Sequence, residues 1–473
     1  MQSVAPVKTT EGTPDELLAP VDRPLVYALM FGAVLPLLDA TLLNIALQDI
    51  GHALGAPLSQ MQWVITAYTL AAATAVPLSA WLCGRMGARS VWLAGLWLFL
   101  AGACLCAVAW TAEMLILSRA LQGIATGIML PTMQTIVVTA LGQRKTRGAL
   151  SAMSIPSVLV PILGPLVGGA SLLLVDWRVI FWAHVPIGLL ALHLTCRAIP
   201  DIRDGHRTDL DMTGFVLLGL GLVGCIYSLS TVASTTGSPW VSGLLGSAAL
   251  LAFPVHAWRT PGNAILDIRL YAHAPFRRSC GLLFLSSVGY YGGLFLFPLY
   301  LTQLGHHGLG MTGLLLALHG VGMLVARQLL PMAARHCGDL RVAQSCVLLA
   351  VVGSLLLLPP WVDDLPIMAV GMVLRGAGIG VLTILAMSSA YGGLAGPQVA
   401  QASSLTRVVT LLGAAIGAAL VAMLCGSSSS GSPGSTAGYA SAHVLLTVTL
   451  LLCGAACPVP QRCRVTKADD TTQ

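Results

Sequence analysis

Between residues 114 and 140 the chain reads MLILSRALQGIATGIMLPTMQTIVVTA, an apolar run whose one charged side chain is Arg119. A helix needs about 20 such residues to cross the hydrocarbon core of a bilayer. The stretch therefore reads as a transmembrane helix with a cation inside it. Runs of the same kind recur along the chain, fourteen in all, near 24–47, 61–83, 90–110, 114–140, 149–174, 179–197, 212–232, 240–258, 279–304, 312–333, 342–361, 365–391, 403–425 and 439–459. Of the 473 residues, 56% are hydrophobic and 9% charged, against about 25% charged in soluble domains. That composition excludes a water-soluble enzyme. It speaks equally against a nucleic-acid binder, and the net charge of +6, dispersed over short segments rather than gathered in a stripe, weakens that reading further. The fold class is all-α and polytopic.

The opening stretch has a second copy. Gln122-Gly123-Ile124-Ala125-Thr126-Gly127 is echoed 253 residues later by Arg375-Gly376-Ala377-Gly378-Ile379-Gly380. Gly87 is echoed by Gly338 at an offset of 251, and Gly164 and Gly168 by Gly413 and Gly417 at 249. Near-constant offsets relate spans 1–6 to spans 9–14 and leave spans 7 and 8 as an inserted pair. Two parallel six-helix halves around a midplane cavity form a transporter architecture. The expected organisation is a disordered tail (1–23), an N-terminal half (24–200), the inserted pair with its loops (201–262), a C-terminal half (263–459) and a second tail (460–473). The serine-rich stretch 426–438 reads as a flexible linker.

Basic loops tend to stay cytoplasmic. With the N-terminus inside, the inner segments hold nineteen Lys and Arg, the outer loops hold Arg178, and Arg119, Arg327, Arg375 and Arg407 fall inside spans. Both termini are therefore expected in the cytoplasm, with the chain in the cell (inner) membrane. The first 20 residues carry Pro6, Pro14 and Pro20 and no apolar segment ending at a small-residue cleavage site, so they do not read as a signal peptide.

A charge at the bilayer centre costs about 2.5–3.5 kcal/mol on insertion scales and marks pathways and proton relays. Of the 18 acids, Asp39 alone lies well within a span. Its natural partner is Arg119, placed at a compatible depth in span 4. The pair is either a fixed lock or a protonation switch, since desolvation and a neighbouring guanidinium act on a carboxylate in opposite directions. The span histidines His184, His193, His319 and His443 read more commonly as packing; His319 stands out because Arg327 follows two turns later. Trp63, Tyr68, Gln122, Tyr290, His319, Arg327 and Arg375 are the candidate substrate-cavity residues, with Tyr291 beside them. No G-x-x-x-x-G-K-[ST] is present to bind ATP, and no H-E-x-x-H. The twelve cysteines form no Cys-x-x-Cys and read as small packing residues. No enzyme activity, metal or cofactor is expected, and the energy source would be an ion gradient.

Several motifs then carry a family resemblance. They are Leu38-Asp39-Ala-Thr41-Leu-Leu-Asn44-Ile-Ala46-Leu47, Gln62-Trp63-Val-Ile-Thr-Ala-Tyr68, Arg119-Ala-Leu-Gln122-Gly123, Gly164-Pro165-Leu-Val-Gly168-Gly169, and Trp177-Arg178-Val-Ile-Phe181-Trp-Ala-His184-Val-Pro186-Ile-Gly188. From about residue 24 to 425 the chain resembles the 14-span drug:proton antiporters of the major facilitator superfamily, the EmrB/QacA type. The resemblance implies alternating access, with Asp39 and Arg119 coupling the proton. It gives Gly164, Pro165, Gly168 and Gly169 to the rocking of span 5, and Arg85, Gly87 and Arg89 to the cytoplasmic gate. It implies export of a small amphiphile against proton entry, by a monomer in the bilayer or with an accessory efflux component.

Two positions depart from the family. The loop after span 2 reads Gly84-Arg85-Met86-Gly87-Ala88-Arg89, where the family carries Asp-Arg-x-Gly-Arg, and span 6 has His184 in place of the usual Asn. The competing readings are a facilitator-superfamily carrier for one physiological solute and a transport-inactive membrane sensor or scaffold.

Overall fold

The computed structural model describes residues 22–56, 58–153, 155–156, 159–160, 176–201, 209–231, 239–260, 264–303, 309–358, 364–392, 394, 397–426 and 436–456. Among these residues the secondary structure is helical: α1 (Arg23–Leu54), α2 (Leu58–Met86), α3 (Ala88–Ala107), α4 (Ala112–Met153), a four-residue α5 (Val179–Trp182), α6 (His184–Ala198), α7 (Met212–Thr231) and α8 (Pro239–Arg259). A short 3-10 turn (Ile268–Ala272) precedes α9 (Ala274–Gln303), α10 (Leu309–Cys337), α11 (Asp339–Leu355), α12 (Leu365–Ala390), α13 (Pro397–Gly426) and α14 (Thr436–Ala456).

Ten helices among the described residues are long and apolar enough to cross a membrane, and three apolar stretches, 212–228, 340–355 and 438–454, are shorter. Most of the expected fifth span (149–174) lies outside the described residues, as do most of both tails and of the 426–438 linker. Several helices overrun their expected bounds. α1 continues to Leu54, where Gly55 turns left-handed (φ 62°) and the Ala56 amide reaches back to the Gly51 carbonyl at 3.0 Å. α13 begins six residues early, at Pro397, because a proline without an amide proton suits a first turn. α4 runs on to Met153 across a break at Gly142, φ 72°.

Glycine makes two of the turns possible. Gly87 between α2 and α3 has φ 83°, and Gly338 between α10 and α11 has φ 80°, a conformation that side chains other than glycine's rarely adopt. The echo at offset 251 is thus one backbone geometry used twice.

The packing repeats as well. α2 packs on α4, α3 on α4, α1 on α6, α1 on α4 and α3 on α6. Eight helices later α10 packs on α12, α11 on α12, α9 on α14, α9 on α12 and α11 on α14. Close approach requires bare glycine backbone. A Cβ on Gly123 would strike the Tyr68 carbonyl and one on Gly376 the His319 carbonyl; Gly127 sits likewise on Ala72 and Gly380 on Met323. α7 and α8 pack on each other, and α7 also lies against α2 and α13. Asp211 ties this pair together, accepting from the Gly214 amide and meeting His256 Nε2, both at 2.8 Å.

Among the described residues the side-chain hydrogen bonds between the two repeated sets gather at one end. Near the close of α2 and α4, Ser79 Oγ lies 2.8 Å from Ser404 Oγ and Thr135 Oγ1 lies 2.9 Å from Ser403 Oγ. There the Tyr391 hydroxyl also donates to Gln134 Oε1 at 2.7 Å. Ala73, Val76 and Val138 share one apolar core with Tyr391, Val399, Ala402 and Leu405. At the other end the cores are separate. One gathers Leu42, Ile50, Met61, Leu115 and Phe181; the other gathers Leu296, Tyr300, Met368 and Tyr439.

Candidate functional site

Asp39 lies midway along α1 and Arg119 about two turns into α4, and the crossing of these helices brings them together. Arg119 Nη1 is 2.6 Å from both Asp39 carboxylate oxygens and 2.8 Å from Gln122 Oε1. Arg119 Nε donates to the Val64 carbonyl at 3.4 Å. The Tyr68 ring closes the face of the guanidinium, 4.4 Å from Cζ to the ring centroid, and its hydroxyl is 2.8 Å from Thr126 Oγ1. Asp39 is 0% exposed and Arg119 2%. A buried pair of this kind is costly to break, because either partner alone is a charge without compensation.

α6 adds a third ionisable group. His184 Nε2 lies 4.0 Å from Asp39 Oδ1, with the Phe99 ring of α3 5.7 Å from its own. Neither ring nitrogen of His184 has a hydrogen-bond partner among the described residues, and neither does Gln122 Nε2.

The corresponding place between α9, α12 and α14 is built differently. Arg375, 1% exposed, donates from Nη2 to the Gly289 carbonyl at 2.7 Å and from Nε to Ser354 Oγ at 3.2 Å. It lies over the Phe297 ring at 4.7 Å. No carboxylate pairs with it among the described residues. Gly293 of α9 faces the guanidinium, so that a Cβ there would run into Nη2 and Nη1. His443 of α14 sits beside this site with both ring nitrogens likewise lacking partners among the described residues, packed on Phe297 and Tyr300.

The other expected cavity residues divide into two groups. Tyr290 stacks on His319 at 6.1 Å and meets Tyr291 edge-on at 4.9 Å. His319 Nδ1 is 3.3 Å from the Met372 carbonyl, and Arg327 donates to the Gly380 carbonyl and to Thr383 Oγ1. Trp63 stands apart from Asp39 and Arg119. It is 43% exposed and stacks on Tyr227 of α7 at 6.0 Å.

At the end where the two sets meet, Arg89 donates to the Cys196 carbonyl at 2.7 Å and Arg85 lies over Trp81 at 5.5 Å. Gly164, Pro165, Gly168 and Gly169 lie outside the described residues. No cluster of metal-ligating side chains is found among the described residues. Sequence reasoning did not find the approach of His184 to Asp39, nor the place of His443 beside Arg375. The shared signal was a histidine in each of spans 6 and 14.

Residues 29–418 match the family model described as the Major Facilitator Superfamily. A multidrug resistance protein B homolog of Mycobacterium tuberculosis is 27% identical over 402 residues, which cover 84% of this chain and 74% of that protein. MdtD of Salmonella paratyphi A, a protein with multidrug resistance in its name, is 30% identical over 313 residues, 64% of this chain and 66% of that one. The crystal structure of the human organic anion transporter MFSD10 superposes with a TM-score of 0.66 at 18% identity, covering 93% of this chain and all of that one. Its fold is the one described above. The chain belongs to the major facilitator superfamily.

Proposed function

We propose that the protein is a proton-coupled secondary transporter that exports small amphiphilic drugs or metabolites by alternating access. The observation that carries this reading is the buried Asp39–Arg119 pair, which places a titratable group inside a span, where such groups mark ion pathways and proton relays. The drug-resistance names of two relatives support the substrate class. On this reading fourteen spans form two halves (24–200 and 263–459) around the inserted α7 and α8. Both termini face the cytoplasm of the inner membrane, and the recurring packing agrees with that division. The joined end is then the cytoplasmic one, and the conformation is closed inside with the outer halves apart. The sequence of spans 9–14 carries no acid inside a span, while Arg375 and Arg327 are buried there, which favours neutral, monocationic or weakly anionic amphiphiles over dications. No nucleotide or metal takes part.

The test is transport of ethidium, a monocation, by the purified protein in liposomes under an imposed pH gradient. Asp39→Asn should leave insertion intact and abolish gradient-driven accumulation. Accumulation at the wild-type level would make Asp39 a structural residue and end the proposal.

A further inference from the structure

We infer that His184 is a second proton site, coupled to Asp39, and that it takes the first proton when the cluster is acidified. The inference rests on the proton-coupled reading above and names the group on which that proton first sits.

Three observations lead there. His184 Nε2 is 4.0 Å from Asp39 Oδ1, just beyond hydrogen-bond reach, and the two residues are 1% and 0% exposed. Neither imidazole nitrogen makes a well-formed hydrogen bond among the described residues, so the carboxylate is the strongest acceptor near the ring. Asp39, by contrast, already receives Arg119 Nη1 on both of its oxygens, and a proton placed on it would weaken those bonds.

The choice between the two sites follows from charge and intrinsic basicity. The cluster holds one carboxylate, one guanidinium and one imidazole. An added proton gives the same net charge of plus one whether it lands on Asp39 or on His184. Burial disfavours every ionised group here, but a proton on Asp39 breaks its ion pair and leaves the Arg119 guanidinium uncompensated, whereas a proton on His184 keeps that pair, and the intrinsic preference points the same way. An imidazole in water titrates near 6.5 and an aspartate near 3.9, both about. The proton goes to Nε2, and the 4.0 Å gap can then close as a charge-assisted N–H···O bond. Asp39 becomes shared between two cations, which loosens the hold of Arg119 between α1 and α4.

The groups facing His184 from its neighbours fit this account. α1 presents Asp39 and α4 presents Arg119. α3 presents the Phe99 ring and, one layer behind, the Cys106 thiol that meets Gln122 at 3.4 Å. Tyr68 of α2 reaches the cluster through the face of Arg119. No second carboxylate approaches the ring among the described residues. His443 supplies the control, being equally buried and equally unpartnered among the described residues, with no carboxylate ion pair there.

The decisive experiment is an infrared pH titration of the protonated carboxyl band of Asp39 in the purified full-length protein, identified by its loss in Asp39→Asn. Removing the imidazole takes away the neighbouring cation that, when protonated, favours the ionised carboxylate. In His184→Asn and His184→Gln the midpoint should move to higher pH, to a proton concentration at least tenfold lower, while His443→Asn leaves it in place. An unmoved midpoint in whichever His184 variant folds, or an equal shift in His443→Asn, would overturn the inference. The same variants assayed for ethidium transport keep the two proposals apart. If the wild type ignores the pH gradient, proton-coupled export fails while the infrared result still decides whether His184 and Asp39 titrate together.

Discussion

The sites around Arg119 and Arg375 use the same scaffold and reach opposite electrostatic solutions. In each, an arginine of a glycine-rich helix is buried against the first helix of its set, beside a histidine of the last, with an aromatic ring on its face. Around Arg119 a carboxylate neutralises the charge. Around Arg375 the facing position is Gly293, and the cation rests on a carbonyl, a hydroxyl and a ring. The repeat thus preserves helix crossings, which depend on backbone approach, while chemistry has diverged at the side chains. Among the described residues only the first site holds a buried ion pair, and only there does a histidine lie beside an acid.

The sharpest way to break this comparison is to remove each cation. Arg119→Ala strands the Asp39 carboxylate in a dry site, a loss of about 3–5 kcal/mol for breaking a buried pair. Arg375→Met keeps the length and removes a charge with no acid partner among the described residues. It removes the guanidinium's bonds to the Gly289 carbonyl and the Ser354 hydroxyl, costing about 1–3 kcal/mol, but relieves the burial of the cation. Thermal unfolding in lipid nanodiscs, followed by tryptophan fluorescence, should show a large fall for the first and a small change for the second. Equal falls would mean that Arg375 has a charged partner of its own.

A smaller effect tests what the two sites share. Gly123→Ala and Gly376→Ala each drive a methyl group into a backbone carbonyl, of Tyr68 and His319 respectively, and a carbonyl cannot rotate away as a side chain can. Overpacking of this sort costs about 1–3 kcal/mol. The two losses should match in the same unfolding measurement, since neither depends on charge. A loss confined to one variant would show that the crossings are not equivalent.

How much of this was legible beforehand follows from the physics of each feature. A buried acid is so costly in a membrane that Asp39 stands alone among the 18 acids, and its partner could be read from depth. Glycine at a helix crossing or at a positive φ has no substitute, so the Gly87–Gly338 and Gly123–Gly376 echoes survived in the sequence. His184 gave no such signal, because a histidine in a span is usually packing and its distance to Asp39 depends on three helices. The contacts that join the two sets were hidden for a related reason. Ser79 and Ser404 each donate back to a carbonyl of their own helix, Val76 and Ala400, as span serines commonly do. Their meeting across 325 residues is a property of the assembled fold.

The smallest effect concerns the two glycine turns. The turn at Gly338 is followed by Asp339, whereas the one at Gly87 has no acid near it: Gly84, where the resembling family carries Asp, is flanked by Arg85. Arg85 and Arg89 currently use Trp81 and the Cys196 carbonyl. Gly84→Asp would give these arginines a carboxylate at the end where the two sets already meet. An ion pair at a water-exposed helix end is worth only about 0–1 kcal/mol, too little to register in unfolding. It is enough to change a conformational ratio by up to about fivefold, since 1 kcal/mol is roughly that factor. The shift should favour the state closed at this end, because the new pair tightens the contacts made there. Double electron–electron resonance between nitroxides on Met86→Cys and His336→Cys, in a chain with its other cysteines replaced, reads that ratio directly. A greater share of the short distance in Gly84→Asp is the expected result. An unchanged distribution would mean that Arg85 and Arg89 are better served by the ring and the carbonyl they already have, and that the missing acid does not set the balance between the two ends.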